Sequence, residues 1–95
     1  MIYFSLEDLR KDFDDKTALK LRDKLYSRCP SITRSARRKY IIRGKEIDRL
    51  ITVPFFDVDY IIKEAKNVIA TAKYNTNIED WNKILSFALK FKETN

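Results

Sequence analysis

The chain has no histidine, a single glycine, two prolines and one cysteine among its 95 residues. Without histidine, serine and cysteine hydrolase triads lose their usual general base. A zinc site would be left with one thiol and carboxylates, a poor ligand set. Gly44 stands alone, so there is no glycine-rich phosphate loop. So little Gly and Pro points to helices joined by short turns rather than a many-turned β fold. Cys29 has no partner for an internal disulfide. With no secretory hydrophobic segment at the N-terminus, a cytoplasmic location is expected. No apolar run approaches the roughly 20 residues that span a bilayer, and no membrane partner is expected.

Any enzyme chemistry would therefore rest on acids. The two acidic clusters, Asp14-Asp15 and Asp57-Val58-Asp59, both sit where helices are expected to begin, and there Asp serves as a cap and a complement to the helix dipole. No catalytic residue, metal ligand or cofactor is expected, and the protein is read as a non-enzyme. Cys29, beside Pro30, reads as a small half-buried residue.

What the chain does have is uneven charge. Residues 1–50 hold fourteen bases and eight acids, whereas residues 51–95 hold six of each, so the whole net charge of +6 lies in the first half. Between Lys16 and Lys45 there are eleven Lys or Arg and one acid, Asp23. All eight Arg precede Ile51. Such a concentration needs an outside counter-charge, most commonly nucleic-acid phosphate. At 44% apolar and 13% aromatic, the chain can also bury a real core.

Periodicity divides the chain into short elements. Ser5, with Asp8 three residues on, opens a first helix carrying Leu6, Leu9 and Phe13. Asp14-Asp15 caps a second helix to about Arg28, with Ala18, Leu21 and Leu25 on one face and Lys16, Lys20 and Lys24 on the other. Pro30 stops it. Ser31–Thr33 and Arg38–Arg43 read as two short strands around an apolar-free tip, Arg34-Ser35-Ala36-Arg37. Lys45–Ile51 reads as a short third helix with Ile47, Leu50 and Ile51 inward. A fourth helix opens at Asp57 or Asp59, and a fifth, capped by Asn77, runs to about Lys92.

This order resembles the MerR-like winged helix of phage and plasmid excisionases and their small relatives. The likeness rests on Ser5-Leu6-Glu7-Asp8-Leu9, on Thr17-Ala18-Leu19-Lys20-Leu21, and on Arg37–Arg43 running into Glu46-Ile47-Asp48-Arg49-Leu50. It covers about residues 3–52. The resemblance implies a mainly α fold with a small β-hairpin: a winged helix-turn-helix domain over 1–52, followed by a C-terminal helical hairpin over 53–95. The second helix would enter a DNA groove and the hairpin would be the wing.

The expected nucleic-acid contacts are Lys16, Thr17, Lys20 and Lys24 on the second helix, and Arg34, Arg37, Arg38, Lys39 and Arg43 on the wing. In the last helix, apolar residues cover an arc of roughly 200° at about 100° per residue, wider than one packing contact needs. Trp81, Ile84, Phe87 and Phe91 are therefore candidates for a protein interface, either a homodimer or another partner, with core burial as the competing explanation. The expected function is that of a small DNA-binding protein of a mobile genetic element, an excisionase or regulator acting on duplex or single-stranded DNA. The alternative is an accessory subunit of a mobile-element polymerase, primase or recombinase, docked through its C-terminal helices.

Overall fold

The computed structural model describes residues 2–94. A two-residue strand β1 (Tyr3–Phe4) leads into helices α1 (Leu6–Asp12) and α2 (Asp15–Arg28). Strands β2 (Ser31–Ile42) and β3 (Lys45–Asp57) follow, then helices α3 (Val58–Thr71) and α4 (Asn75–Thr94). Local chemistry sets the helix starts. The Asp8 carboxylate accepts from the Ser5 amide at 2.9 Å, closing the first turn of α1. Asp14 accepts from the Thr17 amide at 2.9 Å and caps α2. Asp57 accepts from the amides of Asp59 and Tyr60 and caps α3, while the Asp59 carboxylate accepts from Lys92 of α4 at 2.7 Å.

The three strands form one antiparallel sheet in the order β1-β3-β2. β1 pairs only with Phe56 and Asp57, at the base of β3. β2 pairs with β3 along twelve consecutive residue pairs, from Ser31 opposite Phe56 to Ile42 opposite Lys45. Beyond its base the hairpin is a two-stranded ribbon, and β2 is an edge strand throughout. At about 3.3 Å per residue, β2 alone spans roughly 40 Å. That arm accounts for the elongated 50 × 28 × 23 Å shape of the molecule.

Four of the five expected helices are present, the last beginning at Asn75 rather than after a cap at Asn77, whose side chain accepts from Lys24 instead; the hairpin departs from the sequence reading. The expected third helix over Lys45–Ile51 is strand, and the expected tip at Arg34–Arg37 lies in the middle of β2. The turn is at Arg43-Gly44, with φ of 52° and 75°. Positive φ at both central residues gives the turn the twist that continues a hairpin. Ile47, Leu50 and Ile51 satisfy helical spacing, but β-branched residues crowd this stretch, and pairing with β2 satisfies its backbone. Pro54 is tolerated because β3 has a single neighbour at that point.

Two substitutions test the turn. Gly44→Ala has open space around its Cβ, so its penalty is purely conformational, about 1 kcal/mol at φ +75°. Arg43→Asn should act in the opposite sense, because Asn tolerates positive φ. Amide hydrogen exchange at Tyr40 and Ile47 should speed up in the first variant and slow in the second.

Phe4, Leu9, Leu21, Leu25, Phe56, Ile61, Trp81 and Ile84 are fully buried in one continuous cluster. That core crosses the boundary expected at residues 52–53, so the C-terminal helices and the N-terminal half share it rather than forming two units. Phe4 is its hinge, with ring centroids 5.9 Å from Phe56 and 5.0 Å from Phe87.

Candidate nucleic-acid interface

The arm concentrates the charge further than the sequence halves suggest. Between Ser31 and Phe56 lie seven bases and two acids, a net of +5. The remaining residues hold thirteen bases and twelve acids, a net of +1. Nearly all the excess charge is on the projecting ribbon.

Strand alternation then sorts it by face. Even positions of β2 and odd positions of β3 share a face under the observed register. That face carries Arg34, Arg38, Lys45 and Arg49, interleaved with Ala36, Tyr40, Ile42, Ile47, Ile51 and Val53, and has no acid. The opposite face carries Arg37 and Lys39 together with both acids, Glu46 and Asp48. Lys39 pairs with Glu46 at 3.5 Å. Among the described residues, no carboxylate lies within ion-pair distance of Arg34, Arg37, Arg43, Lys45 or Arg49.

Two arginines on this face sit directly across the ladder, Arg38 opposite Arg49. Opposed like charges destabilise a pair of strands and are relieved by an anion. For Arg38 the anion is Glu7 of α1, whose carboxylate accepts from the guanidinium at 2.8 Å. The accumulated twist of a two-stranded ribbon brings this face round toward α1. Arg49 has no such relief. Arg34 lies over the rings of Tyr3 and Phe55, 5.8 and 5.2 Å from their centroids, which holds its guanidinium at the root of the arm.

The Arg38 hydrogen bond and charge, with Arg10 and Lys11 adding, hold the Glu7 carboxyl below its ordinary value of 4.5. A depressed carboxyl pKa means that the tether is complete above 4.5 and is lost as the pH falls through the lower folded-state value. Amide resonances around Arg38 should therefore shift on acidification below pH 4.5. In Glu7→Gln that titration should vanish; if it persists, Glu7 is not its source.

The expected site residues on α2 are placed differently. Lys20 and Lys24 each lie 3.3 Å from the Asp80 carboxylate of α4, which is only 4% exposed. Lys24 also donates to the Asn77 side chain at 2.8 Å. These lysines tie α2 to α4 rather than forming a free cationic face. Lys16 and Thr17 lie at the start of α2, whereas Tyr26, near its end, packs against Phe56 at 5.4 Å. Ten helical residues, about 15 Å, separate the expected recognition end from the root of the arm. Arg34, Arg37, Arg38, Lys39 and Arg43 do come together on one hairpin, and Lys45 and Arg49 join them. The sequence reading missed those two by taking their segment as a helix; the alternation Arg49-Ile51-Val53-Phe55 was the available signal.

The expected protein interface is also moved inward. Trp81, Ile84 and Phe87 are 1%, 0% and 5% exposed, and Phe91 is half-buried against the same cluster. The wide apolar arc of α4 is filled on both sides, by Phe4 and Phe13 through Phe87 and by α3. The most exposed large aliphatic residues, Ile41 and Leu50, lie instead on the arm.

Among the described residues there is no cluster of potential metal ligands, and no helix is long and apolar enough to cross a membrane. Burial, with Glu64 adding, pushes the Cys29 thiol up to about 11. In comparisons with known proteins, no family model, no curated protein and no solved structure matches the chain.

Proposed function

We propose that this is a small, non-enzymatic DNA-binding protein that grips the phosphate backbone with its hairpin arm. The observation that carries the reading is the confinement of +5 of the +6 net charge to a projecting two-stranded ribbon. A ribbon of this width fits the major groove, and arginines on an arm also suit a narrow minor groove. Its free cations are mostly Arg, without the Asn and Gln that read adenine, so phosphate contact dominates affinity. Lys16 and Thr17 at the start of α2 offer a second contact. A mobile-element setting and a role as an excisionase or regulator rest on the resemblance of Ser5–Leu9 and Thr17–Leu21 to excisionase-like proteins, since the stretch from Glu46 to Leu50 is strand rather than helix. An accessory role in a mobile-element polymerase, primase or recombinase would use the same arm. Docking through Trp81, Ile84 and Phe87 loses its support with their burial.

The test is fluorescence anisotropy of the full chain on a short labelled duplex of arbitrary sequence across a salt series. Binding at about 50 mM salt that weakens steeply toward about 200 mM is expected. No binding at the lower salt overturns the proposal.

A further inference from the structure

Each face of the arm's end presents one exposed isoleucine beside a charge: Ile41 stands across from Glu46 and Ile42 across from Lys45. Ile41 is 80% exposed and Ile42 43% exposed, and as consecutive strand residues they point to opposite faces of the ribbon. They immediately precede the Arg43-Gly44 turn, with Lys45 just beyond. Among the described residues, β2 packs mainly on β3 and both isoleucines stay exposed. Arm tips are ordinarily kept polar, because an exposed apolar edge invites association.

Resting on the arm-binding reading above, we propose that Ile41 and Ile42 form a wedge that enters an unstacked base step, so that the preferred nucleic acid is a distorted duplex rather than a perfectly paired one. The geometry suits insertion: one aliphatic side chain between two base pairs meets an aromatic plane above and below, and the ribbon offers such a side chain on either face, Ile41 on one and Ile42 on the other. Arg43 and Lys45 flank the wedge and would lie on the phosphates bordering the opened step. Aliphatic side chains serve as wedges of this kind, and the cost of opening the step falls when it is already mismatched.

Two other occupants fit less well. A second copy of the arm seated on the Ile42 face would set Arg34, Arg38, Lys45 and Arg49 against the same four cations. An anionic bilayer would need cations only near the tip, because a headgroup layer is several ångströms deep, about 5–8 Å. Here the cation stripe runs from Arg34 to Lys45, which pairs with Ile42, a span of eight residue steps along β2 or roughly 27 Å. A duplex backbone continues over that length.

The full chain is titrated onto matched and centrally mismatched duplexes carrying 2-aminopurine beside the centre. The expected result is about tenfold tighter binding to the mismatched duplex, with a fluorescence rise that reports unstacking. The double variant Ile41→Thr, Ile42→Thr keeps β-branched residues at exposed positions. It should bind the matched duplex with an unchanged salt slope while losing both the preference and the fluorescence rise. If wild type and variant bind equally well with no unstacking, the wedge is overturned and the arm reading stands. If neither binds any duplex, both fall. If the variant loses only binding to phosphatidylserine vesicles, the wedge is overturned in favour of a membrane tip.

Discussion

Replacing Arg34, Arg43 and Arg49 together by alanine is expected to weaken duplex binding by about 10²–10³-fold at roughly 0.1 M salt. Each Arg that neutralises a phosphate contributes about 0.9 to the slope of log affinity against log salt. Three such contacts contribute about 2.7, which is about tenfold in affinity per contact at this salt. These three were chosen because no carboxylate of the described residues pairs with them, so their removal strands no buried partner. Arg38 is a weaker choice, since its loss would also release Glu7. The matched control replaces Lys63 and Lys66 on α3, cations of the body rather than the arm. The control should leave the slope within experimental error of wild type. Equal losses from both variants would mean that charge acts through the whole molecule, and the arm would lose its special role.

Trp81→Ala should give the largest loss of stability, about 3–5 kcal/mol for removing a buried aromatic. A 95-residue domain has about 5–14 kcal/mol in total, so the variant approaches the threshold of folding. Trp81 is 1% exposed and stands beside Asp80, the carboxylate that holds Lys20 and Lys24. Its removal therefore opens a cavity next to the ion cluster that fastens α4 to α2. Leu89, on the same helix but 43% exposed, should lose less than 1 kcal/mol on truncation, roughly in line with ordinary surface changes. Urea unfolding followed by circular dichroism separates the two. A Trp81→Ala midpoint close to wild type would mean that this side chain serves an interface rather than the core.

The helices were legible in the sequence because their signals are local. Asp8, Asp14 and Asp57 lie within three residues of the amides they accept from, and the inward positions of α3 keep a clean helical period. The arm was half legible. Its strands were visible in their β-branched residues, but the turn was not, because Arg is an unusual occupant of positive φ and Arg34–Arg37 looked more turn-like than Arg43-Gly44. Ile47, Leu50 and Ile51 fit two periods at once, and only pairing with β2 chooses between them. The candidate binding residues split for the same reason. Those on one hairpin stayed together whatever its length, whereas the fate of Lys20 and Lys24 depended on Asp80, more than fifty positions away and invisible to any local pattern. The broad apolar arc of α4 left burial and interface equally open until Phe4 and Phe13 filled its second side.

The long unpaired border of β2 gives the arm's charge a second duty. Backbone donors and acceptors along that border can accept another strand, and the cations beside them keep neighbouring molecules apart. That repulsion reaches about 10 Å at 0.1 M salt and only about 3 Å at 1 M. The salt expected to weaken the proposed nucleic-acid contact thus also removes this protection against self-association, and concentrated stocks should stay clear longest in dilute buffer.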